Sequence, residues 1–387
     1  MVIAKRPRSR KWKTRNFAIG INRIADFNET LSFSGSSQGS ITERWLENAD
    51  DLTPNQLDDF ESGPAYTAGA IYDFDNDLFY GADIIESDIV TKDQTVERSG
   101  GINELAFSYG GNYNNKFSIG FGVGFPVINY EEDKMYREGD PDSVIPWFDD
   151  LRFDESLSVS GSGVNLKLGT ILHFIPKLRI GLSYETPTWF SINESFNTNV
   201  RYQFTDVDTG ETFADADESP DGRFEYRLKT PGNARVDLAF LHRGDNFSGF
   251  ISAGVKSINY GNNNFDFRSN DPDEIQFEND TNAEIGNELN NSLSYNLGAE
   301  LATGKWRMRS GIIIEQSPFV VDDGELRNTL SAGGGFRGDR IFIDLAWRAT
   351  TSTEGYIPYN VSDASRLQLV ELDKSVNKLI MTFGVKF

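Results

Sequence analysis

The side chains that could do chemistry are few. Histidine occurs twice in 387 residues, as His173 and His242, and cysteine not at all. Nucleophilic catalysis needs a Ser, Cys or Thr brought to a base that is itself oriented by a third group. Neither histidine stands in such a pattern, so no catalytic residue and no cofactor is expected. Two acidic runs, Asp73-Phe74-Asp75-Asn76-Asp77 and Asp215-Ala216-Asp217-Glu218-Ser219-Pro220-Asp221-Gly222, offer the hard oxygen ligands that calcium takes. Neither completes the twelve-residue calcium loop with its Gly and terminal Glu. They read as solvated loops, and no metal site is expected. The formal charge of −22 argues against nucleic acid, whose binding rests on cations that neutralise phosphate.

What positions the remaining candidates is a pattern of period two. In the last ten residues, Leu379, Met381, Phe383, Val385 and Phe387 share one face, opposed by Lys378, Thr382, Gly384 and Lys386. Successive strand side chains point to opposite sides, so this is a strand with one apolar face. The alternation recurs upstream, as in Ile341, Ile343, Leu345 and Trp347, or Phe117, Ile119, Phe121, Val123 and Phe125. About twelve strands are read, at 15–27, 103–111, 116–131, 155–174, 178–205, 222–242, 246–267, 289–302, 306–320, 327–337, 340–356 and 376–387. The strand at 15–27 loses phase at Ile24, through a bulge near Asn22-Arg23 or an end at Ile21; the end is the preferred reading.

No stretch approaches the roughly 20 apolar residues of a membrane-crossing helix. A transmembrane antiparallel up-and-down β-barrel is the fold class that fits, because its strands alternate lipid-facing and lumen-facing residues. Connectors alternate short, as at 175–177 and 303–305, and long and acidic. Bacterial barrels place short turns in the periplasm, so the C-terminus is expected there and the long loops outside. Phe117, Phe174, Trp306, Phe336 and Phe387 fall near the periplasmic rim, as an aromatic girdle would. One connector, 28–102, is too long for a plain loop. Its Ser40-Ile41-Thr42-Glu43 and Thr53-Pro54-Asn55-Gln56 patterns, with Pro64 beyond, predict three short helices in an external insertion.

On this frame the inward face carries Lys167, Arg179, Arg235, Arg307, Arg309, Glu315, Asp344 and Arg348, read chiefly as a structural charge network. Arg309 and Arg348 are the candidates for pairing a ligand carboxylate. Phe342, Phe250, Ile313 and Ile171 interrupt the polar face and are candidate contacts for an apolar solute. Trp45, Leu46, Leu57 and Phe60 are the candidates for capturing it on the external insertion.

These features together resemble the FadL-like transporters of long-chain fatty acids and other hydrophobic compounds, in the branch found in Bacteroidetes-type bacteria. The resemblance rests on Asn16-Phe17-Ala18-Ile19-Gly20-Ile21-Asn22-Arg23, on Ser40-Ile41-Thr42 with Trp45, and on Leu178-Arg179-Ile180-Gly181-Leu182-Ser183-Tyr184-Glu185-Thr186-Pro187-Thr188. It rests also on Ser331-Ala332-Gly333-Gly334-Gly335-Phe336-Arg337 ahead of Phe342-Ile343-Asp344-Leu345-Ala346. It implies passive uptake across the bacterial outer membrane by a monomer, with outer-membrane lipid, fatty acids and, during biogenesis, the barrel assembly machinery as partners. Members have a fourteen-strand barrel and an N-terminal hatch with an Asn-Pro-Ala segment, which this sequence lacks. Residues 1–14 are basic and have no apolar signal core, so the sequence is expected to begin internally, short of the hatch and two strands. A scaffold or adhesin barrel with acidic, calcium-binding loops, or a diffusion porin, are the alternatives.

Overall fold

A computed structural model describes residues 2–5, 11–74, 77–322 and 324–385. Its strands are β1 (Val2–Lys5), β2 (Trp12–Asp26), β3 (Glu29–Gln38), β4 (Ile89–Tyr113), β5 (Phe117–Gly139), β6 (Asp150–Ile175), β7 (Leu178–Glu185), β8 (Thr188–Thr205) and β9 (Thr212–Glu218). After them come β10 (Gly222–Thr230), β11 (Asn233–Arg243), β12 (Ser248–Asn259), β13 (Asn264–Asp266), β14 (Asn291–Thr303), β15 (Trp306–Gln316), β16 (Leu326–Arg337), β17 (Ile341–Tyr356) and β18 (Val370–Val385). Three α-helices interrupt them: α1 (Thr42–Ala49), α2 (Ser62–Thr67) and α3 (Pro272–Glu288).

Every ladder among the described residues is antiparallel, from β2–β4–β5–β6 around to β14–β15–β16–β17–β18. The paths 178–205 and 222–242, each expected as one strand, are broken. β7 and β8 part at Thr186-Pro187, and β10 and β11 part at Pro231-Gly232. Proline has no N–H for the ladder. The two breaks face each other: a Cβ on Gly232 would lie 2.6 Å from the Glu185 carbonyl and 3.1 Å from the Pro187 ring. The next path breaks at the same level, between β12 and β13. This crease divides a lower wall, β7–β11–β12, from an upper one, β8–β10–β13.

In the lower wall the apolar residues face outward and are bare. Leu168, Leu238, Ile251, Leu297, Leu330 and Met381 are 55, 48, 60, 53, 52 and 73 % exposed. A continuous apolar band of this kind is a surface for hydrocarbon. Trp306 and Phe336 pack edge to face, and Tyr113 stacks on Phe117, at the end with short turns. The Phe174 side chain and Phe387 lie outside the described residues.

The packed core lies elsewhere. Trp45, Ala65, Ile71 and the strand residues Val90, Tyr136, Leu151, Phe153 and Val200 form one buried cluster. The external insertion thus caps the inner face of the upper wall. Its edges are strands, β3 and the outer half of β4, where a helical segment was expected from 28 to 102. The Ser40 motif forms in part: Ser40 Oγ accepts from Thr42 N at 3.1 Å and Glu43 accepts from Ser40 N at 3.3 Å, while Glu43 N donates to the Ser40 carbonyl instead of its hydroxyl. The Thr53 motif closes a single turn, Gln56 N to Thr53 O at 2.8 Å, and no helix follows. Pro64 sits in α2.

The last long loop belongs to this cap. Tyr359 and Val361 join the core, Lys92 Nζ donates to Tyr359 OH at 3.0 Å, and Ser362 donates to Glu47 from N and Oγ. Two further differences from the sequence reading concern β2. It starts at Trp12 and gains β1, from within the basic segment, as a partner. It also runs past Ile21 to Asp26, with a register shift between Arg23 and Ala25, so the phase loss is a bulge.

Candidate functional site

Below the crease the inner face of β2, β4, β5, β6 and β7 is built from small side chains. Asn16, Ala106, Gly122, Ile171 and Gly181 all border an open chamber of about 830 Å³. Glycine is required at some of these positions by what lies beside them. A Cβ on Gly124 would meet the Glu104 carboxylate and Asn165 at 2.3 and 2.5 Å. Glu104, almost fully buried, takes Lys167 Nζ at 2.5 and 2.7 Å, and Lys167 reaches Glu185 at 3.4 Å. That knot lies at the chamber's upper edge and holds one ammonium between two carboxylates.

The opposite side of the lumen is a charge network. Arg309 bridges Glu300 at 2.5 Å and Asp344 at 2.9 Å, and Arg337 holds the other Asp344 oxygen at 2.7 Å. Arg235 pairs with Asp237 and Arg179 with turn carbonyls. Arg309 is therefore committed to carboxylates of its own wall. Phe342 is committed as well. Its ring lies 4.7 Å from the Arg337 guanidinium and fills the space over Gly384, where a Cβ would sit 2.1 Å from it.

Arg348 differs. It is exposed, faces Lys378 directly across the β17–β18 ladder, and among the described residues forms no ion pair. Like charges directly opposed on one sheet face destabilise it unless an anion lies between them. Lys378 turns aside to Asp26 at 2.9 Å, and on its other side Arg348 stands opposite Ser331.

The other candidates scatter. Ile171 borders the chamber. Phe250 borders a separate cavity of about 440 Å³, together with Arg309, and Ile313 lies between Asn296 and Thr329. On the cap, the expectation of a capturing surface fails for Trp45 and Leu57, which are 0 and 7 % exposed, and Leu46 packs against the same core. Their apolar area is what holds the insertion to the barrel. Phe60 alone leads outward: its ring lies 4.3 Å from Phe196, and Phe196 stacks on Phe224 at 5.7 Å.

Sequence reasoning missed where that lead goes. Phe224, Tyr226 and Leu228 alternate along β10, on the face shared with Ile192 and Phe190. Tyr226 meets Phe265 at 5.2 Å, and Phe267 stacks on Phe277 of α3 at 5.7 Å. Phe224 and Phe277 are 50 and 65 % exposed. Period two in Arg223-Phe224-Glu225-Tyr226-Arg227-Leu228 was the available signal. The helix itself was announced by Asp271-Pro272-Asp273-Glu274, an N-cap with proline at the first turn.

Among the described residues no group of three metal-capable side chains converges. Asp73 spends its carboxylate on the backbone N–H groups of Asp77 and Leu78, while Asp75 and Asn76 lie outside the described residues. Asp215 and Asp217 decorate β9. His173 lies beside the 175–178 turn, and His242 stacks on Phe247 at a different turn. In the cap, above the apolar band, burial pushes the Glu138 carboxyl above its ordinary range, against the pull of Lys92. Glu138 accepts from Ser40 Oγ, Ile41 N and Tyr136 OH, and so fixes the start of α1. Burial likewise raises Asp83, which accepts from Tyr202 and Tyr72.

No protein-family model matches the sequence, and no curated protein does. Among solved structures, a FadL homologue of Pseudomonas aeruginosa aligns at TM-score 0.50 and 13% identity, over 97% of this chain and 90% of that chain. The toluene transporter TodX of P. putida aligns at TM-score 0.47 and 10% identity, over 100% of this chain and 87% of that one. The Ralstonia pickettii toluene transporter TbuX gives 0.45 and 12%, over 96% and 89%. The chain has the β-barrel fold of the FadL homologue.

Proposed function

We propose that this protein is an outer-membrane barrel for passive uptake of hydrophobic compounds, with long-chain fatty acids as the preferred class. The single observation that carries the preference is Arg348, a lumen cation left without a carboxylate in a network that pairs its neighbours. A fixed guanidinium fork suits a carboxylate. The FadL homologue and the toluene transporters of the same fold support the wider class. The route begins at the exposed rings of Phe224 and Phe277. It continues inward past Phe60 and Phe196 and ends in the small-residue chamber beside Ile171. Short turns and the C-terminus face the periplasm.

Calorimetry on the full chain in nanodiscs tests this with oleate and with toluene. Oleate binding is expected, and Arg348→Ala should weaken it about tenfold or more, the worth of one charge-assisted hydrogen bond, with toluene unaffected. Absence of binding by either probe overturns the transport reading. Equal oleate affinity in wild type and Arg348→Ala overturns the acid preference.

A further inference from the structure

Above the apolar band, the outer face of four neighbouring strands changes character. Val127, Val164 and Trp189 end the continuous run of exposed apolar residues on β5, β6 and β8, with Met135 of β5 exposed further above. Beyond them β6 presents Ser160, Ser158 and Ser156, and β8 presents Asn193, Ser195 and Asn197 in register beside them. The flanking strands carry long charged side chains: Glu131 and Asp133 on β5, Arg223 and Glu225 on β10. Two strands of short side chains between two of long ones make a trough. Its floor and walls enclose about 580 Å³. With strands about 4.8 Å apart, it is roughly 10–15 Å across, the width of one extended polymer chain.

The floor is built for hydrogen bonds that the protein does not use. Ser156 donates to Asp133 at 2.6 Å, but Ser158, Ser160, Asn193, Ser195 and Asn197 have no side-chain partner among the described residues. Hydroxyl and amide groups offer donors and acceptors together. A polyhydroxylated chain matches that surface. An apolar segment does not, and a phosphate would meet the carboxylates of Glu131, Asp133 and Glu225. The trough also starts where the band for acyl chains ends, so the neighbour at that height is the headgroup layer of the outer leaflet. We infer that the trough binds the oligosaccharide of a surface glycolipid whose acyl chains lie on the band directly below. The site is on the outer wall and does not depend on transport through the lumen.

The test uses the full chain in phosphatidylcholine nanodiscs. Core oligosaccharide, released from bacterial lipopolysaccharide by mild acid and dephosphorylated, is titrated and followed by calorimetry, with lipid A as the competitor. Wild type should bind the oligosaccharide, and Ser158→Trp with Ser195→Trp, which fills the floor, should weaken binding about tenfold or more. Asn193→Ala with Ser160→Ala removes hydrogen bonds without adding bulk and should weaken it in the same direction. Failure of wild type to bind overturns the inference. So does undiminished binding by both double variants, or full displacement by lipid A, which carries the acyl chains but not the core sugars.

Discussion

The cap and the apolar band are made by the same strands, yet they bury opposite faces. On β6, Leu151 and Phe153 point inward and are 0 and 4 % exposed, whereas Leu166 and Leu168 point outward and are 48 and 55 % exposed. On β5, Tyr136 is buried inward and Phe121 is bare outward. The apolar set moves from one parity to the other within a strand. A one-residue slip of register would do the same. Here the ladders of β4 and β5 run on without a shift, so the cause is a change of medium. Where the outside is hydrocarbon, the outer face is apolar. Where the outside is water, the inner face is, and the insertion covers it.

The largest break in that contrast is Trp45→Ala. Removing a fully buried indole should cost the cap about 3–5 kcal/mol. Limited proteolysis should then cut within 39–88 while the heat-modifiable mobility of the barrel stays. Next, Leu168→Arg should cost about 2–4 kcal/mol in lipid, the depth-dependent price of a charge facing the bilayer. Its signature is a lower unfolding free energy in vesicles with no change in α1 hydrogen exchange. Glu138→Ala leaves the Ile41 N–H and the Ser40 and Tyr136 hydroxyls unpaired, for about 1–3 kcal/mol. Faster exchange confined to α1 and the end of β3 checks it.

The smallest effect is a pH dependence of the cap alone. Glu138 and Asp83 are both raised on folding by burial. At these two groups the folded cap binds more protons than the unfolded one, and their contribution to its stability falls as pH climbs. The fall starts near the unfolded carboxyl range, about 4, and ends above the raised folded values. A cap whose exchange protection rises with pH across that window would refute the burial of these two groups.

The sequence was legible where lipid imposed strict alternation. Leu379, Met381 and Phe383, or Ile341, Ile343 and Leu345, have one clear apolar parity; β17 stands within one residue of its expected ends, while β18 starts at Val370, six residues before the expected 376. It was less legible above the band. β3, Glu-Thr-Leu-Ser-Phe-Ser-Gly-Ser-Ser-Gln, has only Leu31 and Phe33 as apolar markers, and β9 alternates acids with small residues. The breaks at Pro187 and Pro231 were visible as prolines, but alternation on both sides masked them. For the site, Arg348 was found with the other lumen cations. What singled it out was the pairing of its neighbours, which depends on strands distant in sequence. Trp45 was misjudged because a tryptophan in a long external loop looks the same whether it faces solvent or anchors a core.

The tie between Ser362 and Glu47 spans most of the chain. Tyr359 and Val361 complete the cap's core from the connection between β17 and β18, whereas the helices they lock come from its first quarter. During synthesis those helices emerge long before their final partners exist. Contacts so distant in sequence form late, because the intervening chain must be ordered first. The cap's core is thus closed by both ends of the chain, and is complete only when the last hairpin is in place.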